Sequence, residues 1–451
     1  MAIRITRRRF ARGAVGGVAL ALAGRRVLGA NSRLQHACVG VGGMMGYGNL
    51  RSIGGHKQVD IVAICDVDAG HLARAGEFAK SARRYADWRE LLDKEGDKID
   101  SINVTVPDHM HAAITMSALR RKKHVYCQKP LTHDVYESRM IAAAAKSAGV
   151  VTQLGTQVAA GAGDKMGVAY LKQGAVGKIK RLILCSNRPG AVQSYRLKGP
   201  RPAKGSAPPA ELSWDLWLGT APLRDYTPGI YHPVKWRARQ DFGTGWSGDI
   251  GCHVFDPVWK GLGLTAPKTV VAEVQESWKL DAARRGDTWP QGDHITWVFP
   301  ANDLTDGDLT VEWFDGEYFP PDDVRKLASD FKTYPAESGM AIGTEGAVLI
   351  PHGGGARLYP TEKFKSHPRP DVRGSNHYHD FVNACLGGPP TASHFMQTGP
   401  MAETILLGTV AIRTPGTTLQ WDAANMKFPN CPAAEKFLRR TYRKGWQVEG
   451  L

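Results

Sequence analysis

A chain of 451 residues, 42% hydrophobic and 22% charged, is long enough for two packed domains and has the composition of a globular protein. Its net charge of +15 suggests a nucleic-acid partner until it is located: Arg4, Arg7, Arg8, Arg9, Arg12, Arg25 and Arg26 carry seven of those charges within the first 30 residues, and no later basic run is long. The seven cysteines are scattered, with no C-x-x-C pair, which argues against a disulfide framework.

Residues 1–30 are predicted to be an export segment. Thr6-Arg7-Arg8-Arg9-Phe10 has the S/T-R-R-x-F form of a twin-arginine signal, and the weakly apolar stretch from Gly13 to Gly24 is too short to cross a bilayer. Small residues near Gly29 and Ala30 offer a cleavage site. The expectation is a periplasmic or otherwise exported chain with no membrane span after processing. Because that route carries folded proteins, a cofactor loaded before export is expected with it.

From Leu34 onward strands and helices alternate. LQHACVG reads as a buried strand, GVGGMMGYGNL as a glycine-rich turn opening a helix, and VDIVAICDVD as a second strand. In the turn, Gly40, Gly42 and Gly43 allow backbone N–H groups to approach a pyrophosphate, with Met44 and Met45 in the first helical turn. The spacing is irregular, since the third glycine of the usual pattern falls one place late, at Gly46. Asp66 closes the second strand about twenty residues on, where a carboxylate reaches a ribose hydroxyl. The same acid repels a 2′-phosphate, so NAD is expected over NADP.

The alternation continues through ARRYADWRELLDK, DSINVTVPDHMH, AAITMSALRRKK, HVYCQKPLTH, DVYESRMIAAAAKSAG and VVTQLGTQ. Such a series predicts a doubly wound parallel sheet whose ligand lies beyond the carboxyl ends of the strands. Val106, Pro107, His109 and His111 on one loop belong to that crevice. Gln128, Lys129 and Pro130 on the next loop do too, with Gln157 closing the series. A lysine at a buried sheet edge is costly. Placed at the lip of a crevice and followed by proline, which stiffens the turn, Lys129 instead becomes a donor aimed at a ligand.

After Gln157 the periodicity changes. A helix and a strand, AGDKMGVAYLKQGAVGKIKRLILCSN, precede a Pro/Gly/Lys-rich stretch from Arg188 to Glu211 that is expected to be a solvated loop. KTVVAEVQESWKL, HITWVFP, DLTVEWF and EGAVLIPH then alternate like strands of a largely antiparallel sheet.

Together the glycine turn, VPDHMH, CQKPL, FGTGWSGDIGCHVFDP, GTEGAVL, HYHDFVNACLGGPP and GPMAETILLGTVAIR resemble the Gfo/Idh/MocA oxidoreductases, the glucose–fructose oxidoreductase and inositol dehydrogenase superfamily. CQKPL stands where that family has E-K-P, so Gln128 replaces a glutamate. The resemblance implies an α/β chain: an NAD-binding Rossmann domain over 31–157 with a doubly wound parallel sheet, then an α+β substrate domain over 158–451 with a largely antiparallel open sheet. It implies that the catalytic lysine, aspartate and histidine are Lys129, Asp249 and His253, and that the chain self-associates as a dimer or tetramer.

Asp249 and His253 are four apart, on one face if their segment is helical. His253 is the natural general base for a secondary alcohol, Asp249 orients it or holds the hydroxyl, and Lys129 stabilises the developing negative oxygen. The resemblance implies that the alcohol belongs to a sugar, polyol or glycoside. Trp236 and Arg237 are placed at the rim of its site, within a cluster of tryptophans (214, 217, 236, 246, 259) suited to stacking on sugar rings. Asp249, His253 and Asp256, or His109 and His111, have spacings open to a metal, yet no further matched ligands accompany them and no metal is assigned. Two other activities fit the same residues: a redox-neutral NAD-dependent glycoside hydrolase, working by oxidation, elimination, hydration and reduction, and a non-catalytic carbohydrate-binding protein.

Overall fold

The computed structural model describes residues 33–188, 204–232 and 234–451. The twin-arginine segment and most of the Pro/Gly/Lys-rich stretch lie outside the described residues.

Six strands form the first sheet: β1 (Leu34–Val39), β2 (Val59–Cys65), β3 (Arg83–Tyr85), β4 (Ser101–Val104), β5 (His124–Cys127) and β6 (Thr152–Leu154). Their order is β3-β2-β1-β4-β5-β6 and every pairing is parallel. The chain runs outward from β1 in one direction and then resumes beside β1 with β4. A crevice therefore opens between β1 and β4, where dinucleotides bind in sheets of this order. Intervening helices are set by local chemistry. Asp68 and Asp87 cap the helices Ala69–Phe78 and Trp88–Glu95, while Asp134 and Glu137 form a capping box on Val135–Ala148, which ends at the left-handed Gly149.

The second sheet has eight strands: β7 (Ile179–Ser186), β8 (Thr269–Val274), β9 (Asp293–Phe299), β10 (Thr305–Asp315), β11 (Glu337–Gly343), β12 (Ala347–Pro351), β13 (Arg357–Tyr359) and β14 (Leu419–Gln420). In the order β13-β12-β11-β7-β10-β9-β8-β14 only β7 and β10 are parallel, so the sheet is mixed and largely antiparallel. Buried and half-buried residues alternate along β9, which gives one inner face. That face packs on two long helices, Gly245–Leu262 and Phe395–Arg413. Glycines set the approach: a Cβ on Gly408 would meet the Trp297 ring at 2.8 Å, and one on Gly251 would meet Ile405 at 3.2 Å.

The helix Phe395–Arg413 also joins the two sheets. Gly399 lies against Ala142 of the helix Val135–Ala148, and Arg139 pairs with Glu403 at 2.5 Å. The N-terminal end of Gly245–Leu262 is thereby carried to the crevice of the parallel sheet. No helix among the described residues is long and apolar enough to cross a membrane.

Candidate active site

A cavity of about 900 Å³ opens beyond the carboxyl ends of β1, β2, β4 and β5, the size class of a ligand pocket. One wall is the glycine turn. Gly40 has φ +79°, and a Cβ there would lie 2.0 Å from the Thr105 carbonyl oxygen, so only glycine lets the turn pass under β4. Gly46 packs against Gly40 in the same way, which explains the late third glycine: the turn closes one residue further along the helix. Gly42 caps the helix Gly43–Gly54 without a side-chain bond, and a Cβ on Gly43 would meet nothing within 4 Å. Open space before free helical N–H groups is what a pyrophosphate requires, so these residues fit a dinucleotide.

Asp66 lines the same wall. Its Oδ2 accepts the N–H groups of Val41 and Gly42 at 2.9 Å each, and its Oδ1 accepts that of Asp68 at 3.0 Å. The carboxylate thus braces the glycine turn as well as lining the cavity. Met45 lines the cavity; Met44 occupies the first turn of the helix beside it.

Opposite the turn stands Lys129. Its ammonium donates to Asp249 Oδ1 at 2.5 Å and to the Asp249 carbonyl at 3.2 Å. Arg237 Nε lies 3.7 Å from the other carboxylate oxygen and stacks 4.3 Å over Trp236. Burial pushes the Asp249 carboxyl up, but Lys129 and Arg237 outweigh it and hold the group below the ordinary range. His253 follows one helical turn after Asp249 and lines the cavity with its ring 4.9 Å from that of His352. Burial, Lys129 and His352 keep the His253 imidazole neutral, and its buried Nδ1 has no hydrogen-bond partner among the described residues.

Val106, Pro107, Gln128 and Gln157 complete the floor. Gln128 Oε1 accepts the Gln157 amide at 3.3 Å and would lie 2.0 Å from a Cβ on Gly155, so the side chain is wedged in place. A neutral amide suffices there because the partner is itself an amide.

Three residues expected at the nucleotide lie behind the wall instead. His109 is buried against Trp217 and Phe242, with Nε2 donating to the Trp217 carbonyl. His111 sits under the lips of the crevice, Nδ1 on the Pro130 carbonyl at 2.5 Å and Nε2 on that of Val106 at 2.8 Å. Carbonyls only accept, so both ring nitrogens donate; burial opposes the charge, yet Cys127 and the two carbonyls raise the histidine's pKa. Pro130 contributes this carbonyl and does not line the cavity. The reason is helical geometry: the helix Asp108–Arg120 begins at Asp108, which puts that residue at the cavity and turns the histidines away from it.

Asp108 is the functional candidate that reading the motif missed. It is 2% exposed, accepts Thr244 Oγ1 at 3.1 Å, and is pushed up to about 8 by burial and by Asp249, against Arg237 and Lys129. Its signal was present as the acid between Pro107 and His109. Arg188, Glu337 and His352 also line the cavity, brought there from strand ends. Among the tryptophans, Trp217, Trp236 and Trp246 line the cavity; Trp214 stacks on Trp217 at 4.7 Å, and Trp259 packs on Phe299 in the core. Asp256 binds Lys260 at 2.5 Å and does not line the cavity, so it joins no ligand set with Asp249 and His253.

Two family models match the chain: the oxidoreductase family's NAD-binding Rossmann fold over residues 34–156, and its C-terminal alpha/beta domain over 171–288. The chain is 26% identical to levoglucosan dehydrogenase of Pseudarthrobacter phenanthrenivorans over 40% of its length, and 30% identical to inositol 2-dehydrogenase of Salmonella paratyphi B over 27%. These matches span 38% and 36% of the relatives, little more than a third of each. In fold it is similar to the WlbA dehydrogenase of Chromobactrium violaceum, solved with NADH and UDP-GlcNAcA (TM-score 0.60, 14% identity, 87% of this chain and 97% of that one). It is also similar to an inositol dehydrogenase homolog of Azotobacter vinelandii, solved with NADH and myo-inositol (TM-score 0.56, 17% identity, 86% and 98%). With both family models aligned in order over just over half of its length, the chain belongs to the Gfo/Idh/MocA oxidoreductase family.

Proposed function

We propose that the protein is an NAD-dependent oxidoreductase acting on a secondary alcohol of a sugar, polyol or glycoside, with a tightly held cofactor. The observation that carries this reading is the convergence of Lys129, Asp249 and His253 on one cavity whose opposite wall is the glycine turn. A bound nicotinamide supplies the hydride acceptor. His253, neutral and lining the cavity, takes the hydroxyl proton. Lys129 donates to the same oxygen and favours its negative charge as hydride leaves carbon. Asp249 holds the ammonium in place and offsets part of the positive charge of Lys129 and Arg237.

NAD is favoured over NADP because the Asp66 carboxylate, fixed by the glycine turn, occupies the ribose end and repels a 2′-phosphate. Inositol and levoglucosan, named for two relatives, are the polyol and anhydrosugar to try first. Export through residues 1–30 and self-association stay part of the proposal, since an exported enzyme needs its nucleotide loaded beforehand and retained. Purified protein titrated with a panel of sugars and polyols should change its absorbance at the reduced-nicotinamide band without added nucleotide. If no member of the panel, with or without added NAD, changes that absorbance, the reading fails.

A further inference from the structure

At the glycine-turn end of the cavity, where His71 and His232 line the wall, the fold gathers three metal-ligating side chains that have no part in the proton and hydride steps. Asp68 caps the helix Ala69–Phe78, its Oδ1 accepting the N–H groups of Gly70 and His71 at 2.9 and 3.1 Å. Its Oδ2 faces His232 Nε2 at 3.3 Å and His71 Nδ1 at 3.9 Å, and the three ligand atoms all lie within 4.8 Å of one another. Four-coordinate zinc, with bonds near 2.0–2.1 Å, sets its ligand atoms about 3.4 Å apart. The observed separations reach that spacing with side-chain adjustments of about an ångström, within the freedom of half-buried histidines.

Two features distinguish the cluster from a chance surface pairing. Asp68 is oriented by backbone N–H groups on its other oxygen, the kind of outer support that fixes a ligand. His232 comes from a separate segment already strapped to the turn after β2: Ser213 N–H donates to Val67 O at 2.9 Å and Ala69 N–H to Glu211 O at 2.9 Å. We propose that Asp68, His71 and His232 form a site for a divalent transition-metal ion of the zinc class, which clips the segment carrying His232 onto the nucleotide half. Two imidazoles with one carboxylate suit zinc or cobalt over magnesium or calcium, which prefer oxygen ligands. Without metal the same atoms make an ordinary hydrogen bond, His232 Nε2–H donating to Asp68 Oδ2.

The full chain, stripped with a chelator and held free of nucleotide and sugar, is titrated with Co²⁺ and then displaced with Zn²⁺. One equivalent of Co²⁺ should give the visible absorption of a four-coordinate site. Asp68→Asn retains the helix cap but removes the anionic ligand; it and His232→Gln should each weaken binding at least about 100-fold while circular dichroism stays unchanged. Zn²⁺ should slow proteolysis between residues 204 and 232 in the parent but not in either variant. Absent Co²⁺ absorption, or variants that bind as tightly as the parent, would show hydrogen bonding alone and overturn the proposal. Neither readout depends on dehydrogenase activity, so the two readings stand or fall separately.

Discussion

The Lys129 ammonium lies 2.5 Å from the Asp249 carboxylate although 120 residues separate them in the chain. One comes from the turn after β5 of the parallel sheet, the other from the first turns of the helix Gly245–Leu262. The pair is therefore a direct product of docking the second sheet's helices against the crevice. It holds the ammonium on the wall of the cavity that the glycine turn also lines.

Lys129→Met should abolish most turnover while sparing the nucleotide site, because the glycine turn is built independently of it. We expect kcat to fall by about 1,000-fold. NADH binding, followed by protein-to-nicotinamide energy transfer, should change by less than about threefold, since no phosphate contact is lost. A variant retaining parental turnover refutes the role given to the ammonium.

Removing the other partner tests stability as well as rate. Asp249→Asn leaves Lys129 and Arg237 facing each other without a balancing charge and should cost about 3 kcal/mol in a denaturant titration. The folded Asp249 carboxyl is held below its unfolded value, so its contribution is present above about pH 4 and is lost as pH falls through the folded pKa. Thermal melts between pH 5 and 2.5 should thus fall less steeply for the variant than for the parent.

Asp108 has the opposite sign. Its folded pKa of about 8 lies above the unfolded value, so folding retains a proton that the unfolded chain releases, and stability declines as pH rises from about 4 to 8. Asp108→Asn removes that penalty. Nucleotide-free variant and parent should melt together near pH 4 and diverge upward in pH, with the variant ahead by at least about 1 kcal/mol at pH 8. A difference independent of pH would contradict the assignment.

The glycine turn separates folding from binding. Gly40→Ala combines a left-handed backbone with a Cβ inside contact distance of Thr105 O, and should destabilise by at least about 2 kcal/mol. Gly43→Ala meets only the conformational cost, about 1 kcal/mol, because its Cβ points into open space. That space is where phosphate must approach, so Gly43→Ala should weaken NADH binding by about tenfold or more despite its milder effect on melting.

Much of the nucleotide half was legible from local pattern. Alternating apolar runs and helices of moderate length announced the parallel strands, and the i, i+4 spacing of Asp249 and His253 announced a shared helical face. Other features were not. The strand β11, ESGMAIG, carries two glycines and no clear alternation, yet it pairs antiparallel with β7 on one side and β12 on the other. His109 and His111 sat in the right motif, but the exact start of one helix decided that Asp108 would reach the cavity and the histidines would not. Gly46 looked like a flaw in the pattern until its contact with Gly40 showed that the helix closes one residue later.

What the amino-acid sequence determined alone is whatever depends on neighbours along the chain: the glycine turn, the capping acids, the stiff Lys129-Pro130 turn, and the helical register of Asp249 with His253. What only the tertiary structure decided is which distant side chains share a low-dielectric space. Asp249 is held ionised by Lys129 and Arg237, Asp108 is pushed toward its neutral form a short distance away, and His232 arrives beside Asp68 from another segment. Protonation states and ligand sets are properties of that shared space, since Coulomb energy and desolvation depend on separation and burial and not on spacing in sequence.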